Sequence, residues 1–239
     1  MRGAASPWPE HPMSILQQAR FFTTVAELDQ LPRLGLPELA FAGRSNAGKS
    51  TAINTLCQQK RLAFASKTPG RTQHLNFFAV GTHSEDRELP AAFLVDLPGY
   101  GYAEAGQAMQ SQWGDQLGAY IRQRDPLVGL FVIIDARHAM GPLDCALIDW
   151  FAPTAKPLHV LLTKSDKLNR SDAQRVLRET QDALAPYGAH FSAALFSSLK
   201  RSGVEEAEAI VLDWLGLPEA TPRKPAQSIA QKKAPTQGE

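Results

Sequence analysis

Apolar residues along the chain fall into short, nearly continuous runs that alternate with longer stretches of helical periodicity. Six runs read as strands: Glu38–Ala42, His74–Val80, Ala91–Val95, Leu127–Ile134, Leu158–Leu162 and His190–Phe196. Runs such as Leu127–Ile134, with no polar alternation, suit strands covered on both faces. Between them the pattern predicts helices over Thr51–Gln59, Gln107–Arg124, Pro142–Phe151, from an N-cap at Ser171-Asp172 to Leu184, and over Val204–Leu215. A short helix is also expected within Ser14–Leu31, where Ile15, Leu16, Ala19, Phe22 and Val25 recur at roughly helical spacing. Only the turn Gly81–Pro90 separates the second and third strands. That interval suits an antiparallel hairpin, because a parallel crossover needs a dozen or more residues. Strands alternating with amphipathic helices predict an α/β fold, a mostly parallel six-stranded sheet with helices on both faces. Ligands in such sheets bind beyond the carboxyl ends of the strands.

Composition adds boundaries. Residues 1–20 read as a flexible extension, 21–216 as the folded domain and 217–239 as a basic tail without apolar periodicity. A hydrophobic content of 44% with 21% charged residues is ample for a core, and a net charge of +1 argues neither for nor against a polyanionic partner. Cys57 and Cys145 have no metal-ligand spacing around them and read as buried free thiols. No run is long enough to span a membrane, and prolines interrupt the N-terminus where a signal peptide needs an apolar core. The expectation is a cytoplasmic protein.

Candidate chemistry sits at strand ends. Gly43-Arg44-Ser45-Asn46-Ala47-Gly48-Lys49-Ser50 fits G-x-x-x-x-G-K-[ST] between a strand and a helix, the context of a P-loop. Backbone N–H groups there cradle phosphates, Lys49 reaches the β- and γ-phosphate oxygens, and the Ser50 hydroxyl ligates Mg²⁺. Asp96-Leu97-Pro98-Gly99 ends the third strand. Asp96 suits a carboxylate near Mg²⁺, and the Gly99 N–H suits a γ-phosphate contact. Thr163-Lys164-Ser165-Asp166 ends the fifth. Guanine presents adjacent N1–H and N2–H₂ donors, which one carboxylate, Asp166, can accept together, while the Lys164 stem can lie over the base. Phe196-Ser197-Ser198-Leu199-Lys200 holds the equivalent place after the last strand and resembles the S-A-K/L element, whose backbone N–H contacts guanine O6.

These motifs, with Lys67-Thr68-Pro69-Gly70-Arg71-Thr72-Gln73, Gly101-Tyr102 and Asp135-Ala136-Arg137-His138, resemble the EngB (YihA/YsxC) family of bacterial GTPases, an Era-like branch of the translation-factor-related class. The resemblance implies a Ras-like P-loop NTPase fold and Mg²⁺-dependent hydrolysis of GTP to GDP and phosphate. It also implies assembly of the large ribosomal subunit from precursor rRNA and ribosomal proteins, a requirement in cell division and septation, and a monomer. The implied nucleotide contacts add Gly70, Arg71, Gln73 and His74, with Thr72 completing the Mg²⁺ shell alongside Ser50. Lys49, Thr72 and Gly99 carry the catalytic expectation. Tyr100 stands where Ras-type enzymes carry a water-orienting Gln, so slow intrinsic turnover is expected, accelerated by an assembly partner. Asn46 has two readings, a backbone brace or a K⁺ ligand. Arg137 is expected to pair with Asp144 or contact a partner, and Arg71 to contact RNA or solvent rather than act as an arginine finger. A P-loop kinase or metabolic GTP-using enzyme is the alternative function, and a binding module that scarcely hydrolyses GTP is a third.

Overall fold

The computed structural model describes residues 14–64, 74–82, 89–100, 117–138 and 140–218. Seven strands form one sheet: β1 (Arg20–Val25), β2 (Glu38–Gly43), β3 (Leu75–Val80), β4 (Ala92–Asp96), β5 (Leu127–Asp135), β6 (Leu158–Thr163) and β7 (Phe191–Leu195). Their spatial order is β1-β3-β4-β2-β5-β6-β7. β2 pairs in parallel with β4 and β5, and β6 with β5 and β7, while β3 is antiparallel to both β1 and β4. The α/β, mostly parallel expectation therefore holds, and the short 81–90 connection does make a hairpin.

The seventh strand corrects the sequence reading. Ser14–Leu31 is not a helix: a 3₁₀ turn at Ile15–Gln18 leads into β1, and a second follows at Leu28–Gln30. The residues counted as one helical face belong to different structures. Leu16 and Ala19 pack under the sheet, whereas Phe22 sits at a register shift in an edge strand. The Phe-Phe-Thr-Thr-Val run favours extended backbone, because its β-branched and aromatic side chains suit a pleated, half-buried surface.

Among the described residues, five helices cover the sheet: α1 (Lys49–Leu56), α2 (described over 117–123), α3 (Pro142–Phe151), α4 (Arg170–Leu184) and α5 (Val204–Trp214). Strand periodicity divides each apolar run between two cores. Ala40, Ala42, Leu130, Val132 and Ile134 join one cluster with Tyr120, Ile121, Ile148 and Val176 of α2, α3 and α4. Leu39, Phe41, Phe131 and Ile133 join the other with Ile53, Leu56 and Val211 of α1 and α5. All six residues of β2 and of β6 are buried, which fixes the middle of the sheet between these two layers.

Helix ends depart locally from expectation. α1 starts at Lys49 rather than Thr51 and stops at Leu56. The Asn54 side chain accepts from the backbone N–H of Leu62 and Ala63 (3.0 and 2.8 Å) and donates to the Ala63 carbonyl (2.8 Å), folding the chain back. The cap of α4 is Asn169, whose side chain accepts from Asp172 N at 2.9 Å, not Ser171-Asp172. Pro142 is the first residue of α3, where its missing N–H costs nothing.

Candidate nucleotide site

β2 delivers Gly43 to the carboxyl edge of the sheet, and the chain turns through Arg44–Gly48 into α1. Two glycines make that turn feasible. A Cβ on Gly43 would lie 2.7 Å from the Ile133 carbonyl oxygen of β5, and Gly48 has φ +100°, a left-handed conformation that L side chains avoid. The turn leaves the first N–H groups of α1 unsatisfied at its N-terminus, a favourable setting for anions. Lys49 and Ser50 are its first two residues, both half-buried.

Asp96 ends β4 beside this turn and forms an ion pair with the Lys49 ammonium, with both side chains largely buried. The following segment is stitched to the loop backbone. Leu97 N donates to Phe41 O (3.0 Å), Tyr100 N to Gly43 O (3.2 Å), and Ser45 N to Tyr100 O (3.0 Å). Pro98 is buried, whereas Gly99 is exposed with its Cα face against Ser45. Tyr100 is buried, and its hydroxyl donates to Asp144 Oδ1 of α3 at 2.6 Å. Burial, with the Asp144 charge beside it, raises the phenol well above its ordinary pKa, so it stays protonated.

The base-reading candidates reach the same loop from the other side. The Thr163 hydroxyl donates to the Ala47 carbonyl at 2.5 Å and lies 3.1 Å from the Ile134 carbonyl. Lys164, held at φ 56°, places its ammonium 2.8 Å from Asn46 O and 2.8 Å from Asp135 Oδ2. Its stem passes beside Gly48. Asp135 also accepts from the Arg137 side chain at 3.0 and 2.7 Å. Partial burial would raise the Asp135 carboxyl, but the hydrogen bonds from Arg137 and Lys164 outweigh it and hold the group well below the usual carboxylate range. Arg137 thus pairs with Asp135 and not with Asp144, because Asp144 is fully buried and already accepts from Tyr100 and from Gly141 N at 2.8 Å. Asp166 Oδ1 accepts from the Ser197 hydroxyl at 2.5 Å, and Ser165 bonds the Phe196 carbonyl through both its N–H (3.2 Å) and its hydroxyl (3.0 Å). Phe196 and Ser197 are buried and Ser198 half-buried.

The structure therefore gathers Gly43–Ser50, Asp96–Gly99, Thr163–Asp166 and Phe196–Ser198 at one edge. Gly70, Arg71, Thr72, Gln73, Gly101 and Tyr102 lie outside the described residues, as do the 107–116 part of the expected helix, residues 1–13 and the tail from 219. His74 precedes β3, and among the described residues its Nδ1 is buried without a partner. Asn46 has φ 65°, an exposed side chain and a carbonyl bonded to Lys164. Cys57 is buried, which pushes its thiol up to about 12, but Cys145 is only half-buried. Sequence reasoning missed the bracing role of Thr163, whose hydroxyl gave no pattern of its own, and the Tyr100–Asp144 contact between residues 44 apart.

A model of the 50S ribosome-binding GTPase family matches residues 38–164. The chain is 55% identical to a probable GTP-binding protein EngB of Ralstonia pickettii over 231 residues, 94% of this chain and 97% of that one. It is 54% identical to the corresponding Cupriavidus taiwanensis protein over 222 residues, 90% and 93% of the two chains. Among solved structures, a probable GTP-binding protein engB superposes with a TM-score of 0.59 at 19% identity, covering 75% of this chain and 98% of that one. Era in complex with MgGDPNP and nucleotides 1506–1542 of 16S ribosomal RNA gives 0.55 at 23% identity, covering 80% and 60%. At these identities the structural matches speak for the fold alone.

Proposed function

Because this chain belongs to the EngB family of GTP-binding proteins, we propose that it is a GTP-hydrolysing switch acting on a precursor of the large ribosomal subunit, in the cytoplasm and as a monomer. The observation that carries this reading is the joining of two distant motifs. Thr163 and Lys164 bond the carbonyls of Ala47 and Asn46, so the guanine reader Asp166 is braced on the same loop that would hold the phosphates. The Ser197 hydroxyl orients one carboxylate oxygen of Asp166. Guanine would bind across that carboxylate through N1–H and N2–H₂, with Phe196–Ser198 beside its O6.

The phosphate end uses the remaining groups. The open N–H groups at the start of α1 and the Lys49 ammonium would bind the β- and γ-phosphates, and the Gly99 N–H would face the γ-phosphate. The residues fit Mg²⁺: the Ser50 hydroxyl on the first turn of α1 and the Asp96 carboxylate at the neighbouring strand end are hard oxygen donors beside the phosphate cradle. Thr72 would supply the further oxygen. When bound, Mg²⁺ would neutralise phosphate charge during transfer to water. Tyr100 supports slow intrinsic turnover, because its ring is buried and its hydroxyl is committed to Asp144. A tyrosine at that position cannot orient water as an amide does. The wider reading retains the requirement for cell division and septation, and a domain to 216 followed by 217–239; at its start Leu16 and Ala19 of the expected 1–20 extension belong to the core.

Three measurements test the proposal. Purified protein should bind GTP far more tightly than ATP and release phosphate slowly, with a rate that rises on adding large-subunit precursors. Protein loaded with a non-hydrolysable GTP analogue should cosediment with those particles, and protein loaded with GDP should not. Nucleotide-independent or absent cosedimentation would overturn the switch. Asn46 is decided separately, since equal hydrolysis in KCl and NaCl assigns it to the backbone and removes K⁺.

A further inference from the structure

A second surface lies one helix length from the nucleotide site, about 12 Å for the eight residues of α1 at ~1.5 Å each. Past the end of α1, Asn54 folds the chain back so that Leu62 and Ala63 are buried, while Lys60, Arg61 and Phe64 point outward. The Gln59 side chain then ties this turn to the start of β1, donating to Ala19 O (2.6 Å) and Gln17 O (3.1 Å). In β1 the exposed Phe21 lies on this face, its ring edge-on to Phe78 at 6.3 Å, whereas Arg20, opposite Ala79, faces the other layer. Phe21 is 57% and Phe64 72% exposed, which is unusual for large aromatics.

The two chain segments that build this turn and the start of β1 carry charges of one sign. Between Glu38 and Glu85 the sequence contains no Asp or Glu, and none occurs between Glu10 and Glu27. Glu208 of α5 is the described carboxylate whose charge reaches Cys57 beneath this turn. Glu85, Asp86 and Glu88 lie outside the described residues. Two exposed cations, Lys60 and Arg61, thus accompany two exposed rings. A protein partner seated on the rings would have to desolvate those cations and supply carboxylates to match. Single-stranded RNA brings what each group accepts, phosphates for the cations and base faces for the rings.

Resting on the ribosomal reading above, we infer that Phe21, Lys60, Arg61 and Phe64 form a contact surface for single-stranded RNA. Phe64 directly precedes the stretch containing Gly70–Gln73, so RNA held here lies next in sequence to the loop expected to read the nucleotide.

The test is fluorescence anisotropy of a labelled 20-nucleotide oligouridylate with the full chain, in 50 to 200 mM KCl. Wild type should bind. The double variant Lys60→Glu/Arg61→Glu should bind at least about tenfold more weakly, and its salt slope should be shallower by about 1.4, two phosphate contacts at ~0.7 each. Phe64→Ala should lose about tenfold through stacking, with the slope kept. Arg178→Glu, on α4 across the sheet, should match wild type. If charge reversal lowers Tm or GTP affinity, Lys60→Gln/Arg61→Gln repeats the measurement with a milder change. No binding by wild type, or equal binding by the patch variants and wild type, overturns the inference. Wild-type cosedimentation with large-subunit particles reports on the ribosomal reading independently. Patch-dependent oligonucleotide binding without cosedimentation would keep this surface and sink that reading. Cosedimentation with patch-independent oligonucleotide binding would do the reverse.

Discussion

Asp166 and Tyr100 show how single side chains in this site are given one task by their neighbours. Ser197 donates to one oxygen of the Asp166 carboxylate at 2.5 Å, which leaves acceptor capacity for a donor pair on a base. Asp166→Asn should reduce GTP affinity by on the order of 100-fold, as two charge-assisted hydrogen bonds worth ~1.5–3 kcal/mol each are lost or weakened. The same variant should gain affinity for xanthosine triphosphate, whose 2-oxo group accepts from the new amide. Competition between the two nucleotides measures both changes, and retained GTP preference would remove Asp166 from base recognition. For Tyr100, the partner matters more than the ring. Tyr100→Phe leaves Asp144 Oδ1, in a fully buried carboxylate, without its hydroxyl donor. Unfolding in urea should show a loss of about 1–3 kcal/mol.

At the scale of elements, the far end of the sheet has its own fastening. Glu38 opens β2 fully buried, accepting from the Tyr120 hydroxyl at 2.9 Å and from Arg124 Nε at 3.1 and 3.0 Å. Arg124 also donates to Pro32 O, and Lys156 donates to Arg124 O at 2.9 Å. This network pins the end of α2 to the start of β2, opposite the nucleotide edge. Arg124→Ala leaves the buried Glu38 carboxylate without its guanidinium partner, with the Tyr120 hydroxyl and the more distant Lys156 charge still near it, and should destabilise by about 3–5 kcal/mol in chemical denaturation. Glu38→Gln/Arg124→Met, which removes both charges, should cost clearly less. A charged residue leading an apolar strand is visible in the sequence, but its partner 86 positions away is not. The edge strand β1 teaches a related lesson. Its residues fit helical spacing and strand propensity together, and only pairing with β3, Arg20 opposite Ala79 through Val25 opposite Leu75, decides between them.

Over the whole molecule, the buried His159 couples the fold to pH. Its Nδ1 contacts Ser192 at 2.8 Å, its ring lies 5.2 Å from that of Phe131, and burial pushes its pKa down to about 4. The unfolded chain titrates near 6.5, so it binds more protons than the native state between the two values. The stability contributed by neutral His159 is therefore complete above about 6.5 and is lost as pH falls toward 4, on the order of 3 kcal/mol in total. His159→Phe should flatten stability against pH across that window while leaving the neutral-pH value nearer to wild type. An unchanged acid slope would mean that groups other than His159 dominate there; the depressed Asp135 acts mainly at lower pH.

The chain by itself determined the α/β class, the order of strands and helices from β2 onward, and the candidate chemistry at Gly43–Ser50, Asp96–Gly99, Thr163–Asp166 and Phe196–Ser198. Those features are written locally: strand runs and helical periods depend on near neighbours, and a phosphate loop needs fixed glycine spacing within eight residues. The tertiary structure decided the rest. It made Arg20–Val25 a strand by offering β3 as partner, sent Arg137 to Asp135 because Asp144 was already occupied, and set Thr163 and Lys164 against the loop they brace. It also tied the turn after α1 to the start of β1 through Gln59, on the face that carries Phe21. Each outcome turns on a contact between positions far apart in sequence, whose energy exists only once the sheet has assembled.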